Sequence, residues 1–221
     1  GRYYLLPTSV GIARFRTTPP AFDRLLGAGV PVDAVTVEPS GSRLHATGTF
    51  GHAVLDWATG DLFSVKCCSQ PRVSFSRDGA FSVFVEVLES TSQSRISVFA
   101  EPAHTMLWSR TIAGRSIEEV AGDAYVAARG GTQIIVWSLL DGVERARLDG
   151  YDTTGVAWQG HTLLTWRNPG RLSAYDVTTA QERVVVDAYW QGRTQGLSLA
   201  SDGRYAYVTH WVTDQGSRGS T

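Results

Sequence analysis

The segment SFSRDGAFSVFVEV, residues 74–87, has two apolar stretches joined by a polar reversal that ends in Gly79. This arrangement around an Asp-Gly pair is typical of a β-hairpin. Related strings recur along the chain at intervals of 38 to 43 residues, with turn glycines at Gly1, Gly41, Gly79, Gly122, Gly160 and Gly203. The chain is therefore built from a repeated unit of about forty residues.

An aromatic residue closes a third strand in five of the repeats, at Phe15, Trp57, Phe99, Trp137 and Tyr175. A short polar turn and a further apolar strand follow each one, so the unit has four antiparallel strands, here called a to d in chain order. A large ring at one place per repeat suits the face-to-face packing of neighbouring sheets. We interpret these five aromatics as structural core between sheets.

A repeat of four antiparallel strands with this period predicts an all-β fold, a β-propeller of four-stranded blades. The 221 residues are sufficient for about five blades in a single domain, 1–221. The alternative is part of a six- or seven-bladed propeller. Blade-like units are expected at about 1–30, 31–68, 69–115, 116–152, 153–192 and 193–221, the first and last partial. In a five-bladed ring, the strand at residues 196–200 would complete the first blade.

Two kinds of repeat propeller share local motifs with this chain. The string SDGRYAYVT, residues 201–209, resembles the turn and strand of YVTN repeats. The strings LDWATG, residues 55–60, and VWSLLDG, residues 136–142, resemble the end of a WD repeat. The resemblance implies a propeller fold and, for WD-like repeats in bacteria, a place in signalling or defence proteins. Of the 20 basic residues all but Lys66 are arginine, a composition that suggests a bacterial source.

Charge and composition argue against several partners and cofactors. With 20 basic and 21 acidic residues, the net charge of −1 provides no field that would collect nucleic acid. The sequence has no long apolar run and no export signal, so we expect no membrane insertion and a bacterial cytoplasmic protein, or an extracellular one if a signal was removed. Cys67 and Cys68 are expected to be reduced, and no metal or cofactor is expected, since the usual motifs are absent.

The repeat also predicts a partner-binding rim. In a propeller the b-to-c and d-to-a loops open on the same face, so the ends of strand b and the d-to-a loops lie together there. Arginines and aromatics clustered in this way are typical of a binding hot spot, although strand ends can also be polar simply because they meet water. The predicted rim residues are Glu86, Arg129, Tyr151, Asp152, Arg167, Tyr189, Trp190, Arg193, His210 and Trp211.

Three functions fit these patterns. The first is a non-catalytic scaffold that binds a protein or peptide partner, or other domains of a longer parent chain, through the rim. The second is a lyase or hydrolase that acts on a small molecule at the central channel, with acid-base and anion-binding groups from Glu86, Arg129, Arg167 and His210. The third is a carbohydrate-binding propeller. The sequence contains no common catalytic motif, which favours the first and assigns no catalytic residue; it does not predict the oligomeric state.

Overall fold

The computed structural model of the protein describes residues 2–29, 31–66, 72–88, 91–101, 103–114, 118–130, 132–149, 153–167, 170–187, 193–199 and 205–211. Every regular element in these ranges is a β-strand, which confirms the all-β class. The chain divides into two compact units, Gly1–Ile117 with Leu139–Gly142, and Glu118–Ser138 with Val143–Thr221.

The first unit contains three antiparallel sheets, ordered β1-β2-β3, β4-β5-β6-β7 and β8-β9-β10-β11. Each strand pairs with its neighbour in sequence, because hairpins connect the strands within a sheet. The strands are β1 (Tyr3–Thr8), β2 (Gly11–Thr17), β3 (Pro20–Leu26), β4 (Ala34–Val37), β5 (Arg43–Gly48), β6 (Gly51–Asp56), β7 (Leu62–Lys66), β8 (Arg72–Phe75), β9 (Phe81–Leu88), β10 (Gln93–Ala100) and β11 (Thr105–Ala113).

The second unit contains two four-stranded sheets, β12-β13-β14-β15 and β16-β17-β18-β19, and the pair β20-β21. The four-stranded antiparallel blade predicted from the repeat is thus confirmed. The strands are β12 (Glu118–Ala121), β13 (Tyr125–Gly130), β14 (Gln133–Ser138), β15 (Glu144–Asp149), β16 (Thr153–Gln159), β17 (Thr162–Arg167), β18 (Arg171–Asp176), β19 (Gln181–Asp187), β20 (Arg193–Leu199) and β21 (Ala206–Trp211).

The prediction that residues 196–200 complete the first blade is wrong. In the described part of the chain, β20 pairs with β21, and the sheet that contains β1 has three strands. The reason is local, since Leu197 of β20 and Val208 of β21 pack together against Trp166 and Leu164 of the preceding sheet. The strand therefore begins a sheet of its own.

Side chains that alternate along each strand build the cores. In the first unit, Leu5, Ile12 and Leu26 form one face of the sheet β1–β3 and pack against Leu44 and Leu55 of the next sheet. Successive residues of a strand point to opposite faces, so these side chains bury one face of the sheet β1–β3 against the sheet that follows it. The second unit repeats the pattern, because Ala127 and Val136 pack against Leu163.

The turns use the residues that their geometry demands. Gly41 and Gly79 have φ values of +72° and +73°, and their amides donate to the carbonyls of Glu38 and Ser76 at 2.7 and 2.9 Å. Such a φ favours glycine, which explains why a glycine recurs at these turns of the repeat in the sequence. In the turn between strands c and d, Asp56 Oδ1 accepts hydrogen bonds from the backbone amides of Ala58 and Thr59.

One strand differs from the others in its exposure. Every side chain of β19, the last strand in its sheet, is exposed, including Val184, Val185 and Val186. Among the described residues, no helix is long and apolar enough to cross a lipid bilayer.

Candidate functional site

Three of the predicted rim residues have described side chains, and all three lie at the carboxyl end of strand b. Glu86 is on β9, Arg129 is on β13 and Arg167 ends β17. The other calls fall outside the described residues: Tyr151, Asp152, Tyr189 and Trp190 entirely, and Arg193, His210 and Trp211 in their side chains. The structure therefore places the repeated strand-end position and leaves the aromatic part of the rim as a prediction.

Two charged pairs, those of Glu86 and Arg167, are formed within single sheets. Glu86 lies directly opposite Arg95 on β10, with 3.6 Å between Oε2 and Nη1. Arg167 Nη2 lies 3.6 Å from Glu182 Oε1 on β19, and the Arg167 side chain is 18% exposed. Both distances exceed the roughly 2.7 to 2.9 Å of a strong charge-assisted hydrogen bond. These pairs orient the side chains without saturating them.

In the second unit, the strand-end arginines occupy equivalent places in two sheets that pack on one another. Arg129 is the last but one residue of strand b in the sheet β12–β15, and Arg167 is the last residue of strand b in the sheet β16–β19. Exposed Arg171 lies opposite Arg167 on one side and exposed Asp187 on the other. This edge of the unit thus carries several guanidinium groups, which bind carboxylates through paired hydrogen bonds.

The five predicted core aromatics lie at or just beyond the end of strand c. Phe15 stacks on Tyr4 at 4.9 Å between ring centroids, and Phe99 contacts Phe84 edge-on at 5.1 Å. Trp137 is 4% exposed, and Trp57 packs against the core of the first unit from just beyond β6. The fifth residue, Tyr175, packs beside the core of the second unit.

A pair of buried histidines in the first unit was missed by the sequence analysis. His45 on β5 and His52 on β6 are 3% and 1% exposed, and 3.0 Å separates His45 Nδ1 from His52 Nε2. Phe84 of the next sheet stands edge-on to His52 at 4.7 Å, and Phe75 does the same to His45 at 4.8 Å. Burial lowers the pKa of His45 to about 4, although the charge of Glu101 opposes the shift.

A third histidine lies beside the same ring of Phe84, at 5.5 Å between centroids. His104 stacks parallel to Phe99 at 4.5 Å, and its Nδ1 lies 2.8 Å from Glu101 Oε1. The Ser82 hydroxyl donates to the same oxygen at 2.6 Å. Burial acts to raise the pKa of the Glu101 carboxyl, but the hydrogen bonds from His104 and Ser82 outweigh it and hold the pKa below its usual value.

These groups form packing between two sheets. The imidazoles of His45 and His52 face each other and aromatic rings, and no group of three His, Cys, Asp or Glu residues in the described ranges is arranged to hold a metal ion. Strand alternation could have indicated the pair, because a two-residue hairpin loop brings positions 45 and 52 diagonally across one face.

A buried arginine was also missed. Arg14 on β2 is 5% exposed; its Nε donates to Asp23 Oδ2 at 2.7 Å and its Nη1 to the carbonyl of Trp57 at 2.6 Å. The guanidinium also lies over the rings of Tyr3 and Trp57, at 5.0 and 5.2 Å from their centroids. Arg14 therefore joins the first sheet to the end of the second.

Antiparallel four-stranded sheets that pack through repeated apolar faces are the blades of a β-propeller. No protein-family model matches the sequence, and no curated protein matches it either. Solved structures do. A chain of the mitotic checkpoint complex is similar with a TM-score of 0.72 at 15% identity, over 94% of this chain and 69% of that chain.

Two further structures agree. The Neurospora crassa Pan2 WD40 domain is similar with a TM-score of 0.70 at 10% identity, over 94% of this chain and 70% of that chain. The Dos1 propeller is similar with a TM-score of 0.62 at 12% identity; the match covers 80% of this chain and about half, 51%, of that chain. The chain thus has a WD-repeat-like β-propeller fold of about five blades.

Proposed function

We propose that this protein is a non-catalytic interaction module, which binds a protein or peptide partner through the face formed by its b-to-c and d-to-a loops. The observation that carries the proposal is the repeated strand-end position. Strand b is uncharged elsewhere in β9, β13 and β17, yet it carries Glu86, Arg129 and Arg167 in turn within three residues of its carboxyl end.

The arrangement suits recognition of an acidic segment. Arg129 and Arg167 stand on neighbouring packed sheets, and their backbone is fixed by strand pairing on both sides. A rigid platform of this kind loses little conformational entropy on binding, so ion pairs formed there contribute more to affinity. Because the ion pair of Arg167 with Glu182 is long, the guanidinium can still donate hydrogen bonds to a second carboxylate.

The test is selection of binding peptides from a displayed random library, followed by measurement of their dissociation constants by fluorescence anisotropy. We expect enriched peptides to contain Asp or Glu. Arg129→Ala and Arg167→Ala should each weaken binding at least about fivefold, the effect of losing roughly 1 kcal/mol at a binding hot spot.

The matched control is Arg183→Ala, which removes an exposed arginine from the middle of β19 in the same unit. This control should leave the dissociation constants unchanged. The melting temperature should be unchanged in all three variants. Equal loss of binding in the control, or no loss in Arg129→Ala and Arg167→Ala, would contradict a site at the strand-b ends.

A further inference from the structure

The first sheet of the chain has one apolar face that is open to solvent. Tyr4, Phe15 and Phe22 lie opposite one another on β1, β2 and β3, and their rings touch in sequence, stacked at 4.9 Å and edge-on at 5.6 Å. Tyr4 is 46% exposed and Phe22 58%. Leu6, two residues from Tyr4 on the same face, is 50% exposed. We call these four side chains the aromatic row.

The next sheet shows what covers such a face. Leu44 and Ala46 lie three and five residues after Gly41, as Tyr4 and Leu6 do after Gly1. Both are fully buried, at 0% and 1% exposure, beneath the opposite face of the sheet β1–β3. The covering side chains include Leu5, which is four residues after its turn glycine. In this repeat, the face with side chains four residues after a turn glycine packs on the face of the next sheet with side chains three and five residues after its turn glycine.

The second unit has an exposed sheet face that corresponds to the Leu5 face of the first sheet, the face that covers Leu44 and Ala46. On β21, Val208 packs inwards against Trp166, so its neighbour Tyr207 points to the opposite side, where it is 56% exposed. Tyr207 follows Gly203 by four residues, the place that Leu5 holds in the first sheet, and Tyr205 beside it is 63% exposed. Exposed apolar patches of this kind mark association sites.

We propose that the aromatic row is an interaction surface for a second copy of this chain, which docks the face bearing Tyr205 and Tyr207 onto it. The contact reproduces the sheet-on-sheet packing already present within each unit, and it is heterologous, because the two copies contribute different surfaces. It shares no residue with the strand-b ends at Arg129 and Arg167, so each proposal can fail without the other.

The first experiment is sedimentation velocity from about 1 to 100 µM protein, a range in which interfaces of modest size associate. The sedimentation coefficient should rise with concentration. Leu6→Asp and Phe22→Asp should each abolish the rise, because they place a carboxylate inside the apolar contact. Met106→Asp, at a 59% exposed site on β11, is the matched control and should behave as the unmodified protein.

Disulfide trapping then tests which surfaces meet. In a Cys67→Ser, Cys68→Ser background, a differently tagged Leu6→Cys protein is mixed with a Tyr207→Cys protein under mild oxidation. The expected product is a crosslinked dimer that contains one chain of each. A monomer at every concentration, the same association in Leu6→Asp, or a predominance of Leu6→Cys pairs would each overturn the proposal.

Discussion

At the scale of single residues, the buried His45–His52 pair connects the stability of the first unit to pH. Burial lowers the pKa of His45 from 6.5 to about 4, against the attraction of Glu101 and with the repulsion of His104 and Arg43. The unfolded chain therefore binds a proton at pH values where the folded chain does not. The free energy of unfolding should fall as the pH is lowered from about 6.5 towards 4.

The size of this effect is roughly 3 kcal/mol for His45 alone, since each pKa unit is equivalent to about 1.4 kcal/mol. Urea unfolding at a series of pH values measures it. His45→Leu should flatten the dependence between pH 6.5 and 4, whatever its effect on stability at neutral pH. The lowered pKa of Glu101 acts in the same direction, because its contribution is lost as its carboxylate is protonated. Identical pH dependence in His45→Leu and the unmodified protein would refute the assignment.

Arg14 allows a second prediction at this scale. Its planar fork contacts Asp23 and the carbonyl of Trp57 together, which the single ammonium of lysine cannot reproduce. Arg14→Lys should therefore lower the free energy of unfolding by about 2 kcal/mol, because a partly buried acceptor loses its donor. Arg16→Lys, two residues further along β2 at an exposed site, should change it by less than about 0.5 kcal/mol in the same denaturation experiment. Equal effects would mean that the fork is unimportant.

At the scale of elements, substitutions at two turn glycines distinguish the energetic cost of a left-handed backbone from the cost of a steric clash. Gly41 has a φ of +72° and open space where a Cβ would lie, whereas Gly142 has a φ of +65° and Trp108 Cγ at 2.7 Å from that position. Trp108 is itself fixed, since its indole N–H donates to the carbonyl of Leu139 at 2.8 Å.

Gly41→Ala should therefore destabilise by about 1 kcal/mol, the cost of a left-handed backbone alone. Gly142→Ala should cost about 1 to 3 kcal/mol more, because the alanine methyl displaces a buried tryptophan. Chemical denaturation compares the two variants, and near-ultraviolet circular dichroism reports whether Trp108 moves. An equal loss of stability in the two variants would show that Trp108 moves aside without an energetic cost.

These elements also explain which features the sequence could predict. A turn such as the one at Gly79 is specified by its own residues, so the hairpins and the four-strand blade were predictable. The positions of His52 and Arg14 depend on what the adjacent sheet offers, Phe84 in one case and the carbonyl of Trp57 in the other. Periodicity does not carry that information. The hairpin of β20 and β21 was predictable from its Gly203 turn, but the expected pairing of residues 196–200 with the first blade was wrong for the same reason, since Leu197 and Val208 pack against the preceding sheet.

At the scale of the whole molecule, the fold is defined and the ligand is a proposal. Repeats read from the sequence agree with the propeller fold of the similar structures. The charge of the chain is nearly balanced, at −1, so local groups such as Arg167 matter more for recognition than any overall field. The rim aromatics Tyr189 and Trp190 stay predictions.

The exposed outer strand β19 has a consequence for colloidal stability. Three consecutive valines at an edge strand are the composition from which intermolecular β-structure grows, and Arg183 and Asp187 flank them with charge. Arg183→Gln combined with Asp187→Asn should shorten the lag before light scattering rises on gentle heating, whereas Val185→Lys should lengthen it. Unchanged lag times would mean that another segment nucleates. If the prediction holds, these exposed charges keep the folded protein from associating through the edge of its sheet.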